Sequence, residues 1–172
     1  MRTLRPASYT GLDLNTVGIE FCRKRHNLPA LDFVQGNAES LPFPDQSFDA
    51  VINVEAAINY LNVRRFFAEV ERVLRAGGHF LYADIRYADE FAAWEAELAS
   101  IPMRLVSEQV INAEVMRGLE QNRFLDQITR RLPNIAILRG IATDYAGGPG
   151  SLIYRRLESS EAWYRLFCFA KD

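Results

Sequence analysis

Four places in this 172-residue chain set hydrogen-bonding or titratable side chains at the ends of apolar runs. Asp13 lies at the end of Ala7–Leu14, just ahead of Asn15, and a carboxylate there accepts two hydrogen bonds at once, as a ribose diol requires. Asn37, with the backbone N–H of Ala38 beside it, offers a donor and acceptor pair suited to an adenine edge. Asn53 and Glu55 close the run Phe48–Val54, where a buried carboxylate would need a partner. Asp84 ends His79–Asp84. Taken singly, each has a plainer reading: Asp13 as a turn former, Asn37 as a polar loop residue. His26 and His79 fall on a helix end and a strand start and read as structural or solvated. Cys22 and Cys168 match no metal spacing and read as reduced, buried small hydrophobes, so no metal site is expected.

The elements that must position these groups follow from periodicity. Asn15 is placed to cap a helix running to about His26, with Ile19 and Cys22 inward, and Leu28-Pro29 breaks it. A strand is expected over Leu31–Gly36, then a loop, Asn37–Asp45, whose two prolines forbid regular structure. Phe48–Val54 is nearly continuously apolar, the pattern of a parallel strand covered on both faces. Val63, Phe66, Phe67, Val70 and Val73 or Leu74 recur at helical spacing, Asn62 caps that helix, and Ala76-Gly77-Gly78 stops it before the strand His79–Asp84. Strands and helices alternating at this rhythm predict an α/β fold with a mostly parallel sheet. Beyond lie a helix near 89–99, a strand near 103–110, a longer helix over 113–132 carrying Val115, Leu119, Leu125, Ile128 and Leu132, an irregular glycine-rich stretch over 140–151, a helical turn over 154–159 and a final strand over 163–170, antiparallel to the others.

Composition removes several function classes. A net charge of −2 gives no footprint for nucleic acid. No apolar run reaches the roughly 18 to 20 residues of a membrane span, and the basic start Met1–Pro6 has no apolar core behind it, so a cytoplasmic protein is expected. One domain fits the length.

In open parallel sheets, ligands lie beyond the carboxyl ends of the strands. Gly11-Leu12-Asp13-Leu14-Asn15, Gly36-Asn37-Ala38-Glu39-Ser40-Leu41-Pro42-Phe43, Ser47-Phe48-Asp49-Ala50-Val51 and Val73-Leu74-Arg75-Ala76-Gly77-Gly78-His79 resemble, in order and spacing, successive motifs of class I S-adenosylmethionine-dependent methyltransferases. The resemblance spans the chain. Pro6–Asn15, Tyr82–Arg86 and Tyr164-Arg165 look like the phthiotriolone/phenolphthiotriolone dimycocerosate methyltransferase branch. It implies a Rossmann-like methyltransferase fold in which Asp13 holds the ribose hydroxyls. Asn37, where relatives usually have Asp, would meet the adenine amino group, and the Ala38 N–H the ring nitrogen. Asn53 would line the floor beneath the methionine portion of S-adenosyl-L-methionine. Asn for Asp keeps an oxygen but loses the charge, which weakens that contact.

Two departures shape the expectations. The family's first strand and glycine-rich loop, which cradle the cofactor's carboxypropyl end, would lie ahead of Met1, so residues 1–172 are expected to form a single partial domain with a partial cofactor site. The strand concerned is normally central, so the sheet is expected to split between the strands ending at Asp13 and Asn53, exposing Leu12, Leu14, Val51 and Ile52 and favouring homo-oligomers or pairing through the open sheet. Second, Ile58 stands where that branch commonly has a histidine, the family's general base, and Ile58 takes no proton. The family reaction is O-methylation of a hydroxyl on a small molecule, lipid or polyketide-type substrate; the isolated chain is expected to be weakly active or inactive. A non-catalytic interaction module, or one half of a split methyltransferase, is the alternative. A nicotinamide-binding Rossmann domain is disfavoured by the lack of Gly-x-Gly-x-x-Gly.

Overall fold

The computed structural model describes residues 6–121 and 147–172. It contains six strands, β1 (Tyr9–Asp13), β2 (Leu31–Gln35), β3 (Phe48–Val54), β4 (Leu74–Tyr87), β5 (Arg104–Val110) and β6 (Ala162–Ala170). Five helices accompany them: α1 (Thr16–Arg25), α2 (Val63–Val73), α3 (Phe91–Leu98), α4 (Asn112–Gln121) and α5 (Leu152–Glu158). Asn15 caps α1 as its side-chain oxygen accepts from Val17 N at 3.0 Å and Gly18 N at 3.2 Å. Asn62 caps α2 through Arg65 N at 3.0 Å.

The strands form two sheets. β1 and β2 pair in parallel as a two-stranded ribbon, and the other four run in the order β3-β4-β6-β5. β3 and β4 are parallel; β6 is antiparallel to both β4 and β5. β1 and β3 share no ladder. The break falls between β1 and β3, where the sequence led to an expected split.

The core lies on one face of the larger sheet. Helix α2 lays Phe66, Phe67, Val70 and Val73 on Phe80 and Tyr82 of β4, which stack in turn on Phe167 and Phe169 of β6. Trp94 of α3 completes it, almost fully buried, with the Arg86 and Arg165 guanidinium carbons 5.2 Å and 5.1 Å from its ring centre. The opposite face carries Ala83, Ala162 and Tyr164 beneath Val115, Met116 and Leu119 of α4 and Ile153 and Leu157 of α5.

Several expectations change. β3 is not covered on both faces: Ile52 and Val54 are exposed. Leu12 and Val51, expected to be exposed, pack against the main core, whereas Leu14 and Ile52 are open to solvent. β4 begins five residues earlier than its apolar run and continues to Tyr87, since the ladder to β6 extends past Asp84. Cys22 and Cys168 are free and only partly buried. The turn expected near Tyr154 is the helix α5. Of the helix expected over 113–132, the part up to Gln121 is α4; Leu125, Ile128 and Leu132 lie outside the described residues, as does most of the glycine-rich stretch.

Candidate functional site

Asp13 ends β1, Asn37 and Ala38 open the loop after β2, and Asn53 is the penultimate residue of β3. These are carboxyl ends, where sheet geometry offers ligands unpaired backbone and loop groups. Gly36 is required by close approach: a Cβ there would lie 3.1 Å from both Leu12 Cδ1 and Pro42 Cγ. The absent side chain lets the loop fold over the end of β1.

That loop is held by two carboxylates and one guanidinium. Glu39 Oε1 accepts from Leu61 N at 2.8 Å and Asn62 N at 3.2 Å, fastening it to the start of α2. Arg72 donates to the carbonyls of Leu41 and Phe43 at 3.0 and 2.8 Å and pairs with Asp45 and Glu69. Glu69 also accepts from Leu41 N at 2.7 Å; its hydrogen bonds from Arg72 hold its carboxyl below the usual range.

Within this frame, Asp13 is exposed and accepts from Asn15 N at 2.8 Å through one oxygen, while the other has no hydrogen-bond partner among the described residues. Asn37 Oδ1 accepts from Glu39 N at 2.9 Å, so its amide donors remain available. The N–H of buried Ala38 has no hydrogen-bond partner among the described residues. Asn53 is buried, its Nδ2 donates to the Tyr60 hydroxyl at 3.0 Å, and its Oδ1 is the one buried side-chain polar atom among the described residues with no partner. A buried, unpaired amide oxygen is costly unless something fills it. Burial pushes the Tyr60 hydroxyl above the ordinary phenol range, and the nearby carboxylates of Asp13, Asp84 and Glu39 push it the same way. No ladder joins β1 to β3.

Asp84 differs from its sequence reading. Asp84 is not at a strand end: it is fully buried within β4, accepts from Tyr82 Oη at 3.0 Å and Ile85 N at 2.9 Å, and pairs with Arg86 at 3.0 Å. Its acceptor capacity is consumed internally. Ile58 sits on a short 3-10 turn, Ala57–Asn59, and is exposed. His26 caps the end of α1, and His79 opens the β4–β6 ladder at the amino end, away from the site. Two residues the sequence did not single out belong to it: Tyr60, through Asn53, and Glu39, whose partners lie 22 and 23 positions away and leave no local signal. Among the described residues no group of three His, Cys, Asp or Glu side chains is placed to hold a metal ion, and no helix is long and apolar enough to cross a membrane.

The family described as "Methyltransferase domain" matches residues 1–82. A phthiotriol/phenolphthiotriol dimycocerosates methyltransferase of Mycobacterium tuberculosis is 56% identical over 173 residues, covering 99% of this chain and 63% of its own length. A fatty-acid O-methyltransferase of Mycolicibacterium smegmatis is 48% identical over 172 residues, covering 99% of this chain and 61% of its own. The chain therefore spans less than two thirds of these curated relatives. Among solved structures, geranyl diphosphate methyltransferase in complex with S-adenosylmethionine superposes with a TM-score of 0.65 at 14% identity, covering 96% of this chain and 69% of its own, a likeness of fold.

Proposed function

Starting from the S-adenosylmethionine-dependent methyltransferases, the Rossmann-like family to which this chain belongs, we propose that its site takes the adenosine half of that cofactor. The reaction served is methylation of a hydroxyl on a lipid or polyketide-type acceptor, within a single partial methyltransferase domain in the cytoplasm. The names of the two relatives support a lipid acceptor.

The observation that carries the reading is the set of unsatisfied groups gathered at three strand ends. A ribose diol donates to the free oxygen of Asp13. An adenine edge meets the unpaired Ala38 N–H and the amide donors of Asn37. The orphaned Oδ1 of Asn53 accepts an N–H from the methionine portion, beside a Tyr60 hydroxyl that stays protonated. Asn37 in place of a carboxylate contributes a neutral contact, about half as strong as a charged one. When bound, the cofactor supplies an electrophilic methyl on a sulfonium; the chain's residues orient it and its acceptor, and alignment is most of what such a transfer needs. Toward the methionine carboxylate, the described residues offer little beyond Asn53.

Calorimetry tests this. S-adenosylmethionine is expected to bind with a dissociation constant of about 1 mM, and Asp13→Ala or Asn53→Ala should abolish the signal. Micromolar binding indifferent to both substitutions would sink the site.

A second reading, a module that pairs through its open sheet, draws on the exposed Ile52 and Val54 of β3. Light scattering across a concentration series decides it: a cooperatively melting monomer at every concentration excludes it.

A further inference from the structure

Helix α1 carries apolar side chains on two sides. One side meets the β1–β2 ribbon, burying Ile19 and half-burying Gly18 and Cys22. At about 3.6 residues per turn, Val17, Phe21 and Lys24 form a stripe at i, i+4 and i+7 on the opposite side, and all three are exposed. Leu14, ahead of the Asn15 cap, and Leu28, beyond the helix, are exposed as well. A lone exposed apolar residue needs no explanation, but the outer side of a surface helix is ordinarily polar. Here four large apolar side chains stand open on one element and its two ends, and neither hydrophobic core includes Val17 or Phe21.

The same element is locally basic in a chain of net charge −2. Arg23, Lys24 and Arg25 close α1 against one acid, Glu20. Arg23 is committed, donating through Nε and Nη2 to the carbonyl of Phe33. Lys24 and Arg25 are exposed and have no hydrogen-bond or ion-pair partner among the described residues. Cations of the larger sheet and its helices are tied instead: Arg72, Arg75, Arg86 and Arg165 each pair with a carboxylate. An apolar stripe edged by unpaired cations suits a helix lying in a bilayer interface. Its aromatic and aliphatic groups enter the headgroup boundary, while Lys and Arg stems reach back to anionic headgroups. A second copy of this face offers those cations a single carboxylate, Glu20; a bilayer rich in acidic lipid offers many.

We infer that α1 is a membrane-docking element, which seats the chain on an anionic lipid surface through Val17 and Phe21 with Lys24 and Arg25 on the headgroups. One short helix with two cations is a reversible anchor. Leu14 directly follows Asp13, so the carboxyl end of β1 lies at the margin of the docked surface. The cofactor reading is not needed for this, and vesicle binding is read without cofactor, so the two fail separately.

The whole chain is sedimented with vesicles of phosphatidylcholine alone and with vesicles containing about one-third phosphatidylglycerol. Partitioning onto the acidic vesicles is expected to be about 10-fold stronger, and to fall to the neutral-vesicle value in about 0.5 M salt. Val17→Gln combined with Phe21→Gln should weaken binding to the acidic vesicles about 10-fold. Lys24→Gln combined with Arg25→Gln should remove the preference for them. Both double variants should melt with the wild type, because none of the four side chains belongs to a core. Absent partitioning, or equal partitioning onto both vesicles, overturns the inference. A double variant that melts lower also overturns it, since its residues are then kept for folding. So does a concentration-dependent dimer in light scattering that Val17→Gln with Phe21→Gln dissolves, which assigns the face to a second copy.

Discussion

The β1–α1–β2 unit and the four-stranded half are built from one chain to different standards. The larger half seals Phe67, Phe80, Tyr82, Trp94 and Phe167 almost completely from water. In the smaller, α1 buries only Ile19, while Val17 is 75% and Phe21 63% exposed. A two-stranded ribbon with one buried helical residue is marginal in water. Yet the proposed site is shared: Asp13, Asn37 and Ala38 come from the marginal unit or its loop, Asn53 and Tyr60 from the robust one. Binding therefore depends on how firmly the two are held together, and the fastening is mainly polar, through Glu39, Glu69 and Arg72.

The comparison is broken most directly by truncating one aromatic in each half. Phe167→Ala should cost about 3–5 kcal/mol, enough to unfold the larger sheet, whereas Phe21→Ala should stay within about 0.5 kcal/mol; urea melts followed by circular dichroism check both. A somewhat smaller effect is expected from joining, ahead of Met1, a strand-loop-helix segment of the kind the methyltransferase resemblance implies. A strand hydrogen-bonded to both β1 and β3 would unite the halves, and S-adenosylmethionine binding should tighten by about 10²- to 10³-fold, or ~3–4 kcal/mol, by calorimetry. Arg72→Met tests the fastening. It leaves the Leu41 and Phe43 carbonyls without their donor at a partly exposed position, so a loss of about 1–2 kcal/mol is expected, read as faster amide exchange in residues 39–45 with the β4–β6 ladder unchanged.

The smallest effect is at alkaline pH. Tyr60, Tyr82 and Tyr164 hold their protons above the unfolded phenol value of 10.0, in each case first because they are buried. A raised folded value means this contribution is intact below pH 10 and fades as pH climbs through the folded values. Melting temperature should fall above pH 10, with the phenolate absorbance of these three appearing only as the pH passes their raised values.

Much of this was legible in the residues. The α2 stripe, the Asn15 and Asn62 caps and the strands ending near Asp13 and Asn53 are local patterns, and local patterns survive folding. What the chain does not spell out is coverage. Phe48–Val54 reads as apolar whether or not something lies on it, so the exposure of Ile52 and Val54 depended on elements elsewhere. Asn53 with Tyr60 and Glu39 with Leu61 are long-range pairings between residues that favour no particular partner. The left-handed backbone at Glu55, just past β3, had no glycine or asparagine to announce it.

The strand order of the larger sheet also sets a timetable. β6 lies between β4 and β5 yet is the last strand among the described residues, 75 positions from Tyr87 to Ala162. At about 5–20 residues per second on the ribosome, β4 waits roughly 4–15 s with one edge unpaired, and β5 waits with no partner at all. Two ladders then close on a single late strand. Loss of β6, or a pause before it, would therefore strand both β4 and β5, leaving newly made chains most open to proteases and chaperones until β6 emerges.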